Sequence, residues 1–203
     1  MIPSQAPASA ETRGFDNPGA QSQRVFRALL DAIARPGRIV ALEPHVVAPA
    51  PLFASTADIL LAMADFETTI WLDARLALAP DVAAYLRFHT GAKIVTNPAE
   101  ATFAAISDPS ACPALSAFGQ GQADYPDRST TLIIQCARFA ATGQAFGGPG
   151  IDGRIAFSAE PAVPGLAGEL GQNRTSFPCG VDLVFVTQSA MAALPRSVRI
   201  VKD

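Results

Sequence analysis

Lysine is nearly missing from this chain: its 203 residues include two, Lys93 and Lys202. With a formal net charge of −3 and scattered arginines, it lacks the dense positive surface that phosphate contacts along a nucleic acid require. A pyridoxal phosphate enzyme needs a lysine for its Schiff base; Lys202 sits at the tail and Lys93 at the mouth of a short strand pattern, so neither suits. Cys112, Cys136 and Cys179 are odd in number and far apart, which excludes a disulfide framework, a zinc knuckle and an iron–sulfur site. They suit a reducing compartment. Histidine is limited to His45 and His89, and no serine lies in a nucleophile-elbow context for either to serve. No apolar run approaches the roughly 18 residues of a membrane span. The amino terminus has no basic-then-apolar export signal, so a cytoplasmic protein is expected. Both nucleotide motifs are missing too. Gly148-Pro149-Gly150 lacks the dinucleotide sequel, because Gly153 precedes a strand pattern, and no glycine is followed by lysine.

What is present is apolar. The hydrophobic fraction is 49% and the mean hydropathy +0.25, much of it alanine. Such an excess points to a sheet buried on both faces, or to subunit contacts. The length suits one domain burying about 70% of its unfolded surface. We expect a loose leader over 1–14 and a single α/β domain over 15–203.

The central stretch runs from Thr131 to Phe157. Thr131 to Cys136 is β-branched and apolar and reads as a strand buried on both faces. Ala141-Thr142-Gly143 reads as a short turn, with Gln144-Ala145-Phe146 as the returning strand of a hairpin. Gly147-Gly148-Pro149-Gly150-Ile151 follows, either as a tight turn or as backbone approaching a ligand or another surface closely. Elsewhere Asn17-Pro18 marks a helix start, and Val25, Phe26, Leu29, Leu30 and Ile33 recur at helical spacing before Pro36-Gly37. Further helices are expected over Thr56–Ala64 and Val82–Phe88, closed near Gly91, with weaker ones over Pro109–Phe118 and Pro161–Asn173. Strands are expected over Arg38–Leu42, Thr68–Leu72, Ile94–Thr96, Ala101–Ile106, Arg154–Phe157, Val181–Val186 and, at an edge, Ser197–Val201. Gly119 to Ser129 reads as loop. Strands interleaved with helices favour an α/β sandwich around a mixed sheet.

Polar candidates are few. Arg87-Phe88-His89-Thr90-Gly91 offers a planar guanidinium for a phosphate or carboxylate beside an imidazole that titrates near neutrality. The same residues fit a helix end whose carbonyls attract both cations, capped by Gly91. Arg87 and His89, with Gly148 and Gly150, are therefore candidate anion-binding residues; no metal site is expected. Arg24 and Arg27 fit either an anion contact or a solvated helix face. Asp65 and Glu67 fit either an acid/base pair or a turn. Asp182, inside an apolar strand, must be paired or neutralised, which predicts a hydrogen-bonded network with an arginine. Cys136 reads as core packing.

Several segments, in order across nearly the whole chain, resemble the PhnH subunit family of the bacterial carbon–phosphorus lyase core complex. They include Phe26-Arg27-Ala28-Leu29-Leu30-Asp31-Ala32-Ile33-Ala34-Arg35-Pro36-Gly37, Thr69-Ile70-Trp71-Leu72 and Leu86-Arg87-Phe88-His89-Thr90. Ala101-Thr102-Phe103, Thr131-Leu132-Ile133, Gly148-Pro149-Gly150-Ile151, Phe177-Pro178-Cys179-Gly180-Val181-Asp182-Leu183 and Leu194-Pro195-Arg196 complete the set. Asp124 to Ser129 matches less well. The resemblance implies a three-layer α/β/α domain, similar in fold to pyridoxal-phosphate-dependent transferases but without that cofactor, forming a homodimer. It implies assembly with PhnG, PhnI and PhnJ, in a complex that forms ribose 1-phosphonate 5-triphosphate from a nucleoside triphosphate and a phosphonate. Radical carbon–phosphorus cleavage belongs there to PhnJ, with its iron–sulfur cluster. The implied role is an accessory subunit inactive alone; the alternative is an anion- or nucleotide-binding transferase acting by itself. No catalytic residue is carried over.

Overall fold

A computed structural model describes residues 13–201. The expected leader falls outside the described residues for 1–12, as does Lys202. Arg13 is already held, its carbonyl accepting the Val47 amide and the Tyr85 hydroxyl, each at 3.4 Å.

The first helix, α1 (Pro18–Ala34), starts where the sequence places it. The Asn17 side chain accepts from the Ala20 amide at 3.3 Å and Pro18 occupies the first turn, satisfying donors that have no partner within the helix. Val25, Leu29 and Ala32 form its buried stripe. After the two-residue strand β1 (Val40–Ala41) comes α2 (Ala54–Met63), apolar nearly all round. Next are β2 (Thr69–Leu72), the one-turn helix α3 (Ala74–Ala77), α4 (Pro80–Thr90), β3 (Lys93–Val95) and β4 (Phe103–Ile106). Pro109 to Phe118 is two 3₁₀ turns, Pro109–Ala111 and Leu115–Ala117, instead of the expected helix; Pro113 between them cannot donate to a helical ladder. Gly119–Ser129 is not loop but a hairpin, β5 (Gln120–Gln122) with β6 (Tyr125–Ser129). Then follow β7 (Thr131–Gln135), β8 (Arg138–Gly147), β9 (Ile155–Glu160), α5 (Leu166–Thr175), β10 (Asp182–Val186), β11 (Ala190–Leu194) and β12 (Arg199–Ile200).

Seven strands form the main sheet in the order β1-β11-β10-β7-β4-β2-β3. β10, β7, β4, β2 and β3 run parallel, and β11 is antiparallel to both β10 and β1. The sheet is mixed, as expected. Successive residues feed opposite cores, because strand side chains alternate. Ile133, Val184, Val186, Met191 and Ala193 join a core completed by α1, α2 and α4. Leu132, Ile134, Leu183, Phe185, Ala192 and Leu194 join the other, with Phe146, Phe157 and Leu170. Two-sided burial explains both the continuous apolar strands and the high mean hydropathy.

Two further expectations are corrected. The second covering layer is not helical throughout: it combines α5 with a three-stranded antiparallel sheet, β12-β8-β9. And β7 does not turn back at Gly143. β8 is one strand of ten residues in that second sheet, where the pairing jumps from Ala140↔Ser158 to Gln144↔Phe157. Ala141, Thr142 and Gly143 bulge out between those pairs, with Gly143 at φ +98°. A left-handed glycine serves a bulge as well as a turn, and the sequence does not distinguish them.

Candidate functional site

In an open parallel sheet the natural ligand crevice lies at the carboxyl ends of the strands, where successive connections leave in opposite directions. Here the chain goes from β2 outward to β3, returns to β4 and continues to β7, so that point lies between β2 and β4. A carboxylate stands there. Asp73, directly after β2, is buried. Its carboxylate accepts the amides of Leu76 (2.9 Å), Ser107 (2.6 Å) and Asp108 (2.9 Å), and the Ser107 hydroxyl at 3.0 Å. These bonds cap α3 and pin the ends of β2 and β4 together; a carboxylate so satisfied has little left for a ligand.

Further along this edge, Gln135 closes β7 in the same way. Its side-chain oxygen accepts from the Phe53 amide (2.8 Å) and the Thr56 hydroxyl (3.0 Å), and its amide donates to the Pro51 carbonyl at 3.1 Å. The Ser55 hydroxyl donates to the Thr187 carbonyl at 2.6 Å. The polar groups at this edge thus tie the start of α2 to the sheet.

The four anion-site candidates fall in two places. Arg87 and His89 lie in the last turn of α4, whose cap Gly91 has φ +74° and donates to the Arg87 carbonyl at 2.9 Å. That is the helix-end geometry of the bland reading. His89 packs against Tyr85, with ring centroids 4.5 Å apart, and against Phe88 at 5.0 Å. Gly14, ahead of α1, lies so close that a Cβ there would sit 2.6 Å from the His89 Nδ1. Gly150 instead backs onto the far end of α1: an added Cβ would fall 2.1 Å from the Ala34 carbonyl oxygen. A 17-residue helix spans about 25 Å, so α1 separates the two pairs. The surface that the glycine loop approaches closely is the chain's own α1. Phe88, next to Arg87 in the chain, is 84% exposed, and Phe66, 72% exposed, adjoins the Gly91 cap.

Of the other polar candidates, Asp182 meets its arginine. Its Oδ1 accepts from the Arg196 amide (2.8 Å) and Nε (3.1 Å), and its Oδ2 from Nη2. The remaining guanidinium hydrogens reach the Ser129 hydroxyl and the carbonyls of Pro126 (2.7 Å) and Pro178 (3.3 Å). All five donors are used, which makes this a structural clasp, not a free anion site. Asp65 accepts from the Glu67 amide at 2.9 Å and fits the turn reading. Cys136 is buried, and burial pushes its thiol up to about 12.

One polar pair was not anticipated. Asp58, fully buried in α2, accepts from the His45 amide at 2.9 Å and lies 3.2 Å from the His45 Nδ1. Its other oxygen has no hydrogen-bond partner. Burial raises its carboxyl above the ordinary range, against the lowering effect of its bonds to His45. The nearby Tyr85 phenol is pushed up to about 12 by burial and then by the Asp58 charge. The signal was legible: Ala57-Asp58-Ile59-Leu60 raises the same question of a charge in an apolar element that Asp182 does.

With this geometry established, the chain compares with known proteins over nearly its full length. Residues 13–201 match the family described as "Bacterial phosphonate metabolism protein (PhnH)". The chain belongs to the PhnH family. Among its relatives is the "Alpha-D-ribose 1-methylphosphonate 5-triphosphate synthase subunit PhnH" of Rhizobium meliloti (strain 1021). It is 34% identical over 191 residues, covering 93% of this chain and 94% of that protein. The "Putative C-P lyase subunit protein HtxG" of Stutzerimonas stutzeri is 28% identical over 201 residues, 96% and 92% of the two chains. The segments of the ordered set that carried the resemblance, from Phe26 to Arg196, all lie within the matched span.

Proposed function

We propose that this PhnH-family chain is an accessory subunit of a carbon–phosphorus lyase assembly in organic phosphonate catabolism. It serves there in forming ribose 1-phosphonate 5-triphosphate from a nucleoside triphosphate and a phosphonate, and does not turn over alone. The observation that carries this reading is the kinship, over more than nine-tenths of the chain, with two proteins named as subunits, joined to a sheet whose switch-point carboxylate, Asp73, is spent on its own backbone. PhnG, PhnI and PhnJ are the partners it meets. Phe88, adjacent to Arg87 in the chain, and Phe66, against the Gly91 cap, have the composition of a protein interface centre, where aromatics and arginine dominate. Phe26 and Leu30, 45% and 54% exposed one turn apart on α1, supply an apolar stripe for a second copy of the chain. Copurification tests the first of these: tagged wild-type chain should carry its partner subunits through a column, and Phe66→Ser/Phe88→Ser should lose them. Equal recovery by both would reject that face.

The reading includes a cytoplasmic setting, which suits the free thiols of Cys112, Cys136 and Cys179. It also has the chain hold neither pyridoxal phosphate nor an iron–sulfur cluster, on a fold that the reading likens to pyridoxal-phosphate-dependent transferases. Lys93, exposed at the start of β3, is poorly placed for a Schiff base. A featureless near-ultraviolet spectrum after incubation with the cofactor is the expected result. The second reading, an anion- or nucleotide-binding transferase acting alone, keeps Arg87 as its main support, because Gly150 lies at the other end of α1 from His89. Arg87 is exposed and donates no hydrogen bond or ion pair to another described residue. Calorimetric titration of ATP into wild type and Arg87→Ala discriminates: equal, negligible heats favour the accessory role.

A further inference from the structure

We propose that the space enclosed by α5 and the β8-β9 pair is a binding site for a flat, ring-sized molecule carrying an N–H on its edge. The cavity holds about 150 Å³, and Phe146, Phe157, Phe185 and Leu170 are prominent in its lining. Phe157 leans on Phe185 with centroids 5.6 Å apart, so the wall is built of ring faces and edges that favour another aromatic ring in tilted contact. Water fits poorly, since an ordered molecule wants two to four polar partners, whereas an apolar cavity of this volume is known to accept benzene.

Polar character is confined to Gln144 and Ser158. The Gln144 amide group donates to the Ala145 carbonyl at 3.1 Å, which leaves the side-chain oxygen to accept. That oxygen gives the site its preference for a ring with an N–H over a plain hydrocarbon. Access is open. A groove of about 710 Å³ shares Gln144 and Ala167 with the cavity and runs past Gly168 and Gly171 of α5. A Cβ added at either glycine would meet nothing within 4 Å. Gly143, the left-handed residue of the β8 bulge, forms part of the groove's lip, a position where bulges commonly re-aim a strand beside a site. This site is separate from the assembly reading and stands or falls without it.

Titration of the full chain with indole and with benzene, followed by amide and methyl NMR shifts, tests the proposal. Indole should bind, with shifts concentrated at Phe146, Phe157 and Leu170. Ala159→Leu, which fills the cavity from β9, should abolish binding of both rings. Gln144→Leu, on the rim, should weaken indole about fivefold, the loss of one hydrogen bond, and leave benzene unchanged. Should Ala159→Leu fail to fold, the Gln144→Leu comparison still decides. Absence of binding by wild type, shifts centred elsewhere, or an equal effect of Gln144→Leu on both rings would overturn the proposal.

Discussion

Removing the Arg196 guanidinium is the sharpest test of how this fold is held. It joins four separate pieces of chain: the start of β10 through Asp182, the β5–β6 hairpin through Pro126 and Ser129, the loop at Pro178, and its own turn after β11. In Arg196→Ala, Asp182 keeps only the Arg196 amide as a donor from this residue. Breaking a buried ion pair by deleting one partner costs about 3–5 kcal/mol. The two side chains are 14% and 23% exposed, so water recovers part of that, and about 2–3 kcal/mol is expected. Urea unfolding should show a lower midpoint at unchanged slope, and the melting temperature should fall by about 4–12 °C. Deleting Asp182 as well should recover about 1 kcal/mol, because no charge is then left without its partner. Arg138→Ala is the control: its bond to Glu160 joins side chains 73% and 55% exposed, and its loss should stay within about 0.5 kcal/mol. An Arg196→Ala midpoint indistinguishable from wild type, or one matched by Arg138→Ala, would refute the reasoning.

Three further outcomes follow from the same geometry. Gly150→Ala forces a left-handed alanine into the Ala34 carbonyl and should cost about 2–4 kcal/mol from strain and overpacking. Gly168→Ala, in open space on α5, should stabilise by about 0.5–1 kcal/mol; thermal melts that rank the two alike would contradict this. Asp58 has a raised folded pKa, so the native state binds its proton more readily and stability falls as pH rises from about 4 through the raised value. Asp58→Asn should therefore gain stability relative to wild type on going from pH 4 to pH 7, and a flat difference across that range would count against a buried, under-partnered carboxylate. Cys112 and Cys136 are both pushed up to about 12, by burial first and, for Cys112, by the charges of Glu169 and Asp73. Native protein at pH 8 should show both reacting slowly with a disulfide reagent, and rapid modification of either would be the contrary result.

How far the sequence spoke depended on whether a local signal had a single structural meaning. Asn17-Pro18 did, and α1 begins there. The apolar run of β7 did, because only two-sided burial accommodates Leu132, Ile133 and Ile134 together. Asp182 inside β10 did, since burial demands a partner and Arg196 supplies it. Gly143 did not, because a positive φ serves bulge and turn alike. β11 escaped notice because Ala190-Met191-Ala192-Ala193-Leu194 carries no β-branched residue; its strand state comes from lying between β1 and β10, with both faces buried. The β5–β6 hairpin escaped because Gln120 to Ser129 has no apolar alternation, and Arg196 holds it from a distant part of the chain. The site suffered most. Arg87 and His89 could be grouped with the glycine loop only while it was unknown which end of α1 each packs against, and the role of Asp73 depends on strand order, which periodicity does not report.

The account's central claim is that this chain contributes to phosphonate chemistry only within an assembly. The direct measurement is product formation from a nucleoside triphosphate and methylphosphonate by three samples: the purified chain alone, the partner subunits without it, and all of them combined. The account predicts turnover in the combined sample alone. Turnover by the isolated chain would contradict it.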